Sequence, residues 1–383
     1  MILTTGWVLF GFVFLCVVPT VVVTMSRRLT PCRRDESASR SRPRLSVIIA
    51  AKDEQANIEA AVTSLLRQDY SSLQVIAVND RSTDQTGEIL DRVSSQDDRL
   101  TVVHIDELPG DWLGKNHAMH KASEVATGEF LLFTDGDVEF HPTALRSAMD
   151  YVEQHAVDHL CVFPEMITSG YWERALTTFF GLCFCVGLQS WLVPSSLRFA
   201  YVGVGAFNLV RKSAYDNIGG HSSLKFEVLD DVKLGKLLKR SGAKAVVLRG
   251  NGLVAVRWQP SAWGVITGLE KNGFASLDYS KTKLALTTVV YLVFFVSPYM
   301  ALVLFPDVRS SGYAATIVLY HASYAYVGHF MGSGLSLFPV FPIASLGMAY
   351  AFWRSSWITI RQNGVRWRDT FYSLEMLRER RVK

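Results

Sequence analysis

The stretch FLLFTDGDVEFHP, residues 130–142, runs four apolar residues into Asp135-Gly136-Asp137 and then resumes with Val138 and Phe140. A buried strand ending on two carboxylates one residue apart is unfavourable by itself. Charges about 5 Å apart repel by about 3 kcal/mol at an effective dielectric of about 20. The pattern therefore predicts a cation at the strand's end. Oxygen-only ligands select Mg²⁺ or Mn²⁺, and Mg²⁺ is commonly held by one or two carboxylates together with substrate phosphates. The strand is read as delivering a divalent metal, held by Asp137 and Asp135, that carries a diphosphate.

Upstream the same rhythm repeats. LSVIIAA, LQVIAVND and LTVVHID are short Val, Ile and Leu runs separated by helical stretches at 57–68, 84–93 and 115–126. Such runs predict a doubly wound, mostly parallel α/β sheet with helices on both faces. Ligands of these sheets bind beyond the carboxyl ends of the strands. Each strand here ends in polar residues: Lys52, Asp53 and Glu54; Asn79 and Asp80; Asp106 and Glu107; Asp135 and Asp137. Four such ends on one edge favour a site over simple solubility. No G-x-G-x-x-G follows the first strand and no G-x-x-x-x-G-K-[ST] occurs, so phosphates are not cradled by a glycine loop.

The 383 residues are 49% hydrophobic and 19% charged, more apolar than one soluble domain needs, while a net charge of +4 is too small to argue for nucleic acid. Residues 1–26 carry no charged side chain and are long enough to cross a bilayer, giving an N-terminal transmembrane anchor. A basic linker, 27–44, follows with seven arginines (Arg27, Arg28, Arg33, Arg34, Arg40, Arg42, Arg44) against Asp35 and Glu36, which places it in the cytoplasm and the N-terminus outside. Residues 284–353 hold further membrane segments, which Pro298, Pro339 and Pro342 are expected to kink. A basic cytoplasmic tail covers 354–383. The count of spans and the tail's charge agree only if one apolar segment is re-entrant or interfacial, with HFMGSGLSLFPVFP (329–342) the expected place. The predicted protein is thus a multi-pass plasma-membrane protein with its catalytic domain, 45–283, facing the cytoplasm. Cys16, Cys32, Cys161, Cys183 and Cys185 have no metal-ligand spacing and read as reduced packing residues.

Taken in order, the motifs resemble the membrane-anchored, inverting family 2 glycosyltransferases of the GT-A fold, over roughly residues 45–255. VIIAAKDEQANIEAAVTSLLRQDY is similar to the family's first strand and helix, implying a donor-binding edge at Ala51, Asp53 and Glu54; Asp53 stands where Asn is usual. VNDRSTDQTGEIL resembles the nucleotide-binding turn, implying that Asp80 reads the uracil or ribose. DWLGKNHAMHKA implies that Lys115 lies near the donor. FTDGDVEFHP matches the D-x-D motif, implying ribose contact for Asp135 and metal ligation for Asp137. GVGAFNLVRKSAYDNIGGHSSLKFEVLDDVKLGKLLKRSG matches the acceptor-side block, with Gly203, Gly219, Gly220 and His221 on the acceptor side and Asp231 at the position of the catalytic base. Gly219 and Gly220 read equally well as a helix C-cap turn.

The chemistry points the same way. Sugar transfer from a nucleotide diphosphate needs a cation for the leaving charge and a base for the acceptor's proton. Asp230 and Asp231 open an amphipathic helix whose dipole favours carboxylates; Asp230 reads either as its cap or as the base instead of Asp231. Residues 175–197 are span-length but cannot cross once, because a crossing would part Asp135 and Asp137 from Asp231; they read as an interfacial helix or hairpin, or as a buried core helix. An apolar insertion between metal motif and base predicts a membrane lipid acceptor (carotenoid, hopanoid, sphingolipid or polyprenyl phosphate) for a hexose from a nucleotide sugar, UDP-linked by expectation. The alternatives are a small polysaccharide synthase, for which a Q-x-x-R-W motif is lacking (VRWQPSAW and QNGVRW are the nearest strings), and a non-catalytic membrane scaffold that binds sugar nucleotides.

Overall fold

Along Leu45–Ala51 (β1) the side chains alternate between two cores, and this alternation organises the main sheet. Val47 and Ile49 join one buried cluster with Val75 and Leu132; Ile48 joins another with Ile76, Leu131 and Phe133. Apolar faces on both sides must be covered on both sides, which helices above and below the sheet accomplish. The structure is a computed structural model and describes residues 1–31, 42–379 and 381–382.

The strands that follow are β2 (Leu73–Asp80), β3 (Leu100–Ile105), β4 (Phe130–Asp135), β5 (Val138–Phe140), β6 (His159–Phe163), β7 (Glu165–Met166), β8 (Asn208–Arg211), β9 (Ala245–Arg249) and β10 (Val254–Val256). Seven form a sheet in the order β3-β2-β1-β4-β8-β6-β9, and β5-β10-β7 form a smaller one. Neighbours in the larger sheet are parallel except at β8, which runs against both β4 and β6. The expected doubly wound, mostly parallel architecture is present. Its first four strands lie where the apolar runs place them, and the helices Ile58–Leu66, Thr86–Ser94 and Gly114–Val125 fill the intervals.

The chain divides into two compact units. One holds both of these sheets and includes residues 27–167 and 192–258. The other comprises Met1–Ser26, Thr168–Trp191 and Gln259–Glu379 and is largely helical. Residues 259–283, expected in the catalytic domain, group with the helical unit, because they pack on its helices: Arg354 pairs with Glu270 at 2.7 Å, and Ser355 Oγ accepts from the Phe274 N–H at 2.9 Å. The segment 175–197 is divided as well. Its first part lies in the helix Tyr171–Gly187, which buries Ala175, Phe179 and Leu182 within the helical unit, and Tyr324 Oη donates to the Ala175 carbonyl at 2.7 Å.

Among the described residues two helices, Ile2–Ser26 and Lys281–Leu304, are long and apolar enough to cross a membrane by length and composition. The expected proline kinks take another form. Pro342 lies in the first turn of the helix Phe341–Gln362 and Pro339 in the short turn before it, positions where a missing N–H removes no helical bond. Pro298 follows a π-turn, Leu292–Val296, inside the long apolar helix. The stretch 329–342 is the connection between the helices Ser311–Phe330 and Phe341–Gln362, turning at Gly332 and Gly334 with φ of +77° and +58°. Arg366 and Trp367 lie in a two-stranded hairpin, with the Lys271 ammonium 3.9 Å from the Trp367 ring centre. An apolar cavity of about 230 Å³ in the helical unit, lined by Phe179, Leu284, Phe295, Met348 and Trp353 among others, contains none of the candidate site residues. Cys32, Arg33, Arg34, Asp35, Glu36, Arg40, Arg380 and Lys383 lie outside the described residues.

Candidate functional site

Asp135 closes β4, and the turn to β5 carries Gly136 and Asp137. Pairing along β1 and β4 sets Asp135 opposite Ala50, so the turn comes level with the end of β1 and with Glu54 just beyond it. A β-carbon placed on Gly136 would lie 3.6 Å from Glu54 Cγ. Three carboxylates therefore crowd this corner. Asp137 makes no ion pair among the described residues; burial first, then the charges of Asp135 and Glu54, push its carboxyl up to about 7. Two half-buried carboxylates one residue apart, Asp137 among them without an ion pair among the described residues, fit a hard divalent cation such as Mg²⁺ or Mn²⁺. Among the described residues no three His, Cys, Asp or Glu side chains converge as a complete ligand set, so such a cation would take further ligands from a bound diphosphate or water.

Lys115 stands at the start of the helix Gly114–Val125. Its ammonium lies 2.8 Å from Asp135 Oδ1 and 3.6 Å from Asp230 Oδ2. Burial alone would lower its pKa, but Asp135, Asp230 and Asp231 together hold it raised, so Lys115 stays charged. Asp230 and Asp231 are the first two residues of the helix Asp230–Arg240, whose cap position is Leu229. Asp230 is thus not the cap: its buried carboxylate faces Lys115. Asp231 accepts from the Val232 N–H at 2.8 Å, and burial followed by the charge of Asp230 pushes its carboxyl up to about 7.

The two acidic pairs meet across Gly205. A β-carbon there would lie 2.6 Å from Asp135 Oδ2 and 3.5 Å from Asp231 Oδ2, so both carboxylates converge on one point. Gly203 is tighter still, since its β-carbon would sit 1.7 Å from the Asp231 carbonyl oxygen. Gly203 therefore acts as a contact surface for the first turn of the helix that carries Asp231.

Asp80, at the end of β2 and buried, is gripped in both carboxylate oxygens by its neighbour: Arg81 Nε lies 2.7 Å from Oδ1 and Nη2 2.9 Å from Oδ2. A left-handed backbone at Arg81, φ +54°, folds the guanidinium back. Asp53, also left-handed at φ +53°, accepts through Oδ1 from the Thr83 N–H at 2.8 Å and donates its own N–H to Ser82 Oγ. Its carboxylate holds the loop after β2 in place. Glu54 and Gln55 extend that lacing through Thr86 Oγ1 and Asp84 Oδ2. Ala51 is 1% exposed and offers this edge only backbone.

Three expected acceptor-side residues are turned elsewhere. Gly219 and Gly220 have φ of +78° and +55°, and a β-carbon on Gly220 would lie 2.6 Å from the Tyr215 ring, so both serve the turn. His221 is 1% exposed, takes a 2.8 Å contact between Nδ1 and Tyr215 Oη, and packs on Phe133. A side chain so enclosed cannot touch an acceptor arriving from outside. Arg81, Gly205 and Asn208, whose amide reaches Asp231, were not singled out in sequence. Gly205 stands in the visible string GVGAF, but only the meeting of β4 with the helix at Asp230 gives it a role.

A mixed sheet of this order with its acidic edge at the ends of β1, β2 and β4 is the GT-A fold of glycosyltransferases. Residues 46–233 match the family described as glycosyl transferase family 2. The chain is accordingly a glycosyltransferase whose catalytic unit carries a family 2 domain. It is 26% identical over 369 residues to the 4,4'-diaponeurosporenoate glycosyltransferase of Staphylococcus aureus strain USA300, covering 93% of this chain and 97% of that one. The protein of the same name from strain bovine RF122 / ET3-1 is 26% identical over 337 residues, covering 86% of this chain and 88% of its own. The mannosyltransferase PcManGT from Pyrobaculum calidifontis, solved in complex with GDP-Man and Mn²⁺, superposes with a TM-score of 0.54 at 17% identity, covering 94% of this chain and 98% of its own.

Proposed function

We propose that the chain moves a hexose from a UDP-linked donor to a membrane lipid, with inversion at the anomeric carbon. The observation that carries this reading is the approach of Asp135 and Asp231 to one point beside Gly205, which brings a leaving-group side and an acceptor side together. Asp137 and Asp135 are the residues that would hold Mg²⁺ or Mn²⁺, which supplies positive charge against the departing diphosphate. Lys115 adds a fixed positive charge beside Asp135, and the Asp80–Arg81 pair with Asp53 and Glu54 forms the edge that receives the nucleotide.

In the reaction the acceptor hydroxyl attacks the anomeric carbon while the bond to the diphosphate oxygen breaks, its electron pair leaving with the diphosphate. Asp231 takes the hydroxyl's proton. A single displacement from the face opposite the leaving group inverts the centre, and no second nucleophile takes part. Asp230, held by Lys115, is the electrostatic neighbour and Asp231 the base.

The lipid acceptor draws support from two sources: the carotenoid acid in the relative's name and the two helices fit to span a membrane. We place these as anchors in the plasma membrane, with the transferase unit in the cytoplasm beside Arg27, Arg28, Arg42 and Arg44, residues 284–353 in the membrane and the tail from Arg354 in the cytoplasm. The test is to incubate membranes bearing the full chain with radiolabelled UDP-glucose, UDP-galactose, UDP-N-acetylglucosamine or GDP-mannose and extract the lipids. We expect one UDP-sugar to label a discrete lipid in a metal-dependent way. Label confined to GDP-mannose overturns the donor assignment, and label confined to a polymer or to free sugar overturns the acceptor assignment.

A further inference from the structure

Beneath the first turn of the helix that carries Asp231, the sheet holds a buried polar pair. Asn208, 1% exposed, opens β8; His159, equally buried, opens the neighbouring β6. Asn208 Nδ2 donates to the Asp231 carbonyl at 3.3 Å, and its Oδ1 lies 2.5 Å from His159 Nε2. An amide oxygen has no hydrogen to give, so this contact requires the tautomer with hydrogen on Nε2, and it fixes which way the Asn208 amide points. Cys161 Sγ closes the group at 3.2 Å from that nitrogen and 3.5 Å from Oδ1. Burial holds His159 neutral, its pKa lowered to about 4. Nothing in this group reaches solvent, and burying three polar side chains in a sheet is unfavourable unless their bonds are needed.

What the group touches is the backbone of Asp231. Gly203 abuts the same carbonyl closely enough to exclude a β-carbon, so the peptide following Asp231 is fixed by a backbone contact and by a side-chain hydrogen bond. We infer that His159 and Asn208 are positioning residues: His159 orients the Asn208 amide, and Asn208 sets the height and direction from which Asp231 meets the acceptor. The inference rests on Asp231 being the base.

The test uses the detergent-solubilised full chain with Mn²⁺, total bacterial membrane lipid and whichever of the four radiolabelled sugar nucleotides above labels lipid. Asn208→Leu and His159→Leu should each lower kcat at least tenfold, with donor KM and calorimetric UDP binding within threefold of the unmodified chain. His159→Gln, which keeps an N–H toward Asn208, should return to within threefold of the original kcat. The double variant should be no slower than Asn208→Leu within twofold, because His159 acts only through the amide. Unchanged kcat in Asn208→Leu, equal losses in His159→Gln and His159→Leu, multiplying losses in the double variant, or loss of UDP binding in all of them would each overturn the inference. The underlying reading fails separately: Asp231→Asn with full transfer activity removes the base itself, whatever Asn208 does.

Discussion

Lys115 and Asp230, far apart in the chain, stand 3.6 Å apart in the fold, and the same ammonium lies 2.8 Å from Asp135. One cation thus ties the end of β4 to the start of the helix Asp230–Arg240. Replacing Lys115 with Met leaves two acids without their shared counter-charge. The expected destabilisation is on the order of 2 kcal/mol, below the full value for a buried pair because the Asp135 side chain is 41% exposed. Transfer should fall at least a hundredfold. Thermal unfolding and lipid labelling check the two effects.

The raised pKa of Asp231 gives the activity a sign with pH. A carboxyl pushed up to about 7 is protonated below that value and cannot accept a proton, so transfer to a hydroxyl should rise as pH increases through about 7. Asp230→Asn removes a like charge and leaves Lys115 freer to favour the Asp231 carboxylate, so the rising limb should move to lower pH. An acceptor that is itself a carboxylate brings no proton to remove and is repelled once Asp231 ionises, so its rate should not rise over the same range. A kcat profile from pH 5.5 to 8.5 separates these outcomes.

Asp137 is expected to matter through the cation alone. Asp137→Ala should weaken Mn²⁺ binding, followed by electron paramagnetic resonance, at least tenfold and abolish lipid labelling, while melting in the absence of metal stays level or rises, since a carboxyl crowded by Asp135 and Glu54 has been relieved. A metal-free melting temperature well below that of the unmodified chain would contradict this.

Two glycines should respond differently to one added methyl. In Gly203→Ala the new carbon would overlap a backbone oxygen at 1.7 Å, and neither main chain can retreat, so a loss of about 3 kcal/mol or more is expected. In Gly205→Ala it meets the Asp135 carboxylate at 2.6 Å, which can swing aside. That variant should fold and bind UDP but lose at least tenfold in kcat.

The parallel half of the sheet was legible because β1, β2 and β4 are largely buried on both faces and the runs are bounded by helices. LSVIIAA and LQVIAVND coincide with β1 and β2 in full. β8 was not, since a four-residue strand running backwards between distant partners has no local signature. The site divides similarly. Carboxylates announce themselves by chemistry, so Asp135, Asp137 and Asp231 could be named, whereas the part played by Gly205 depends on which side chains flank it in space. Of the two readings open for Gly219 and Gly220, the backbone geometry agrees with the turn, while His221, placed on the acceptor side by resemblance, is enclosed by Tyr215 and Phe133, a surrounding that no local string announces. The carboxylate of Asp53 is engaged by Thr83, a partner that no local string announces.

The reversed direction of β8 has one more effect. Had that strand run with its neighbours, the chain entering it would arrive at the blunt end of the sheet, behind the helices. Running backwards, it begins level with the end of β4 that carries Asp135, so Phe207 and the residues just before it enter the sheet on the acidic edge.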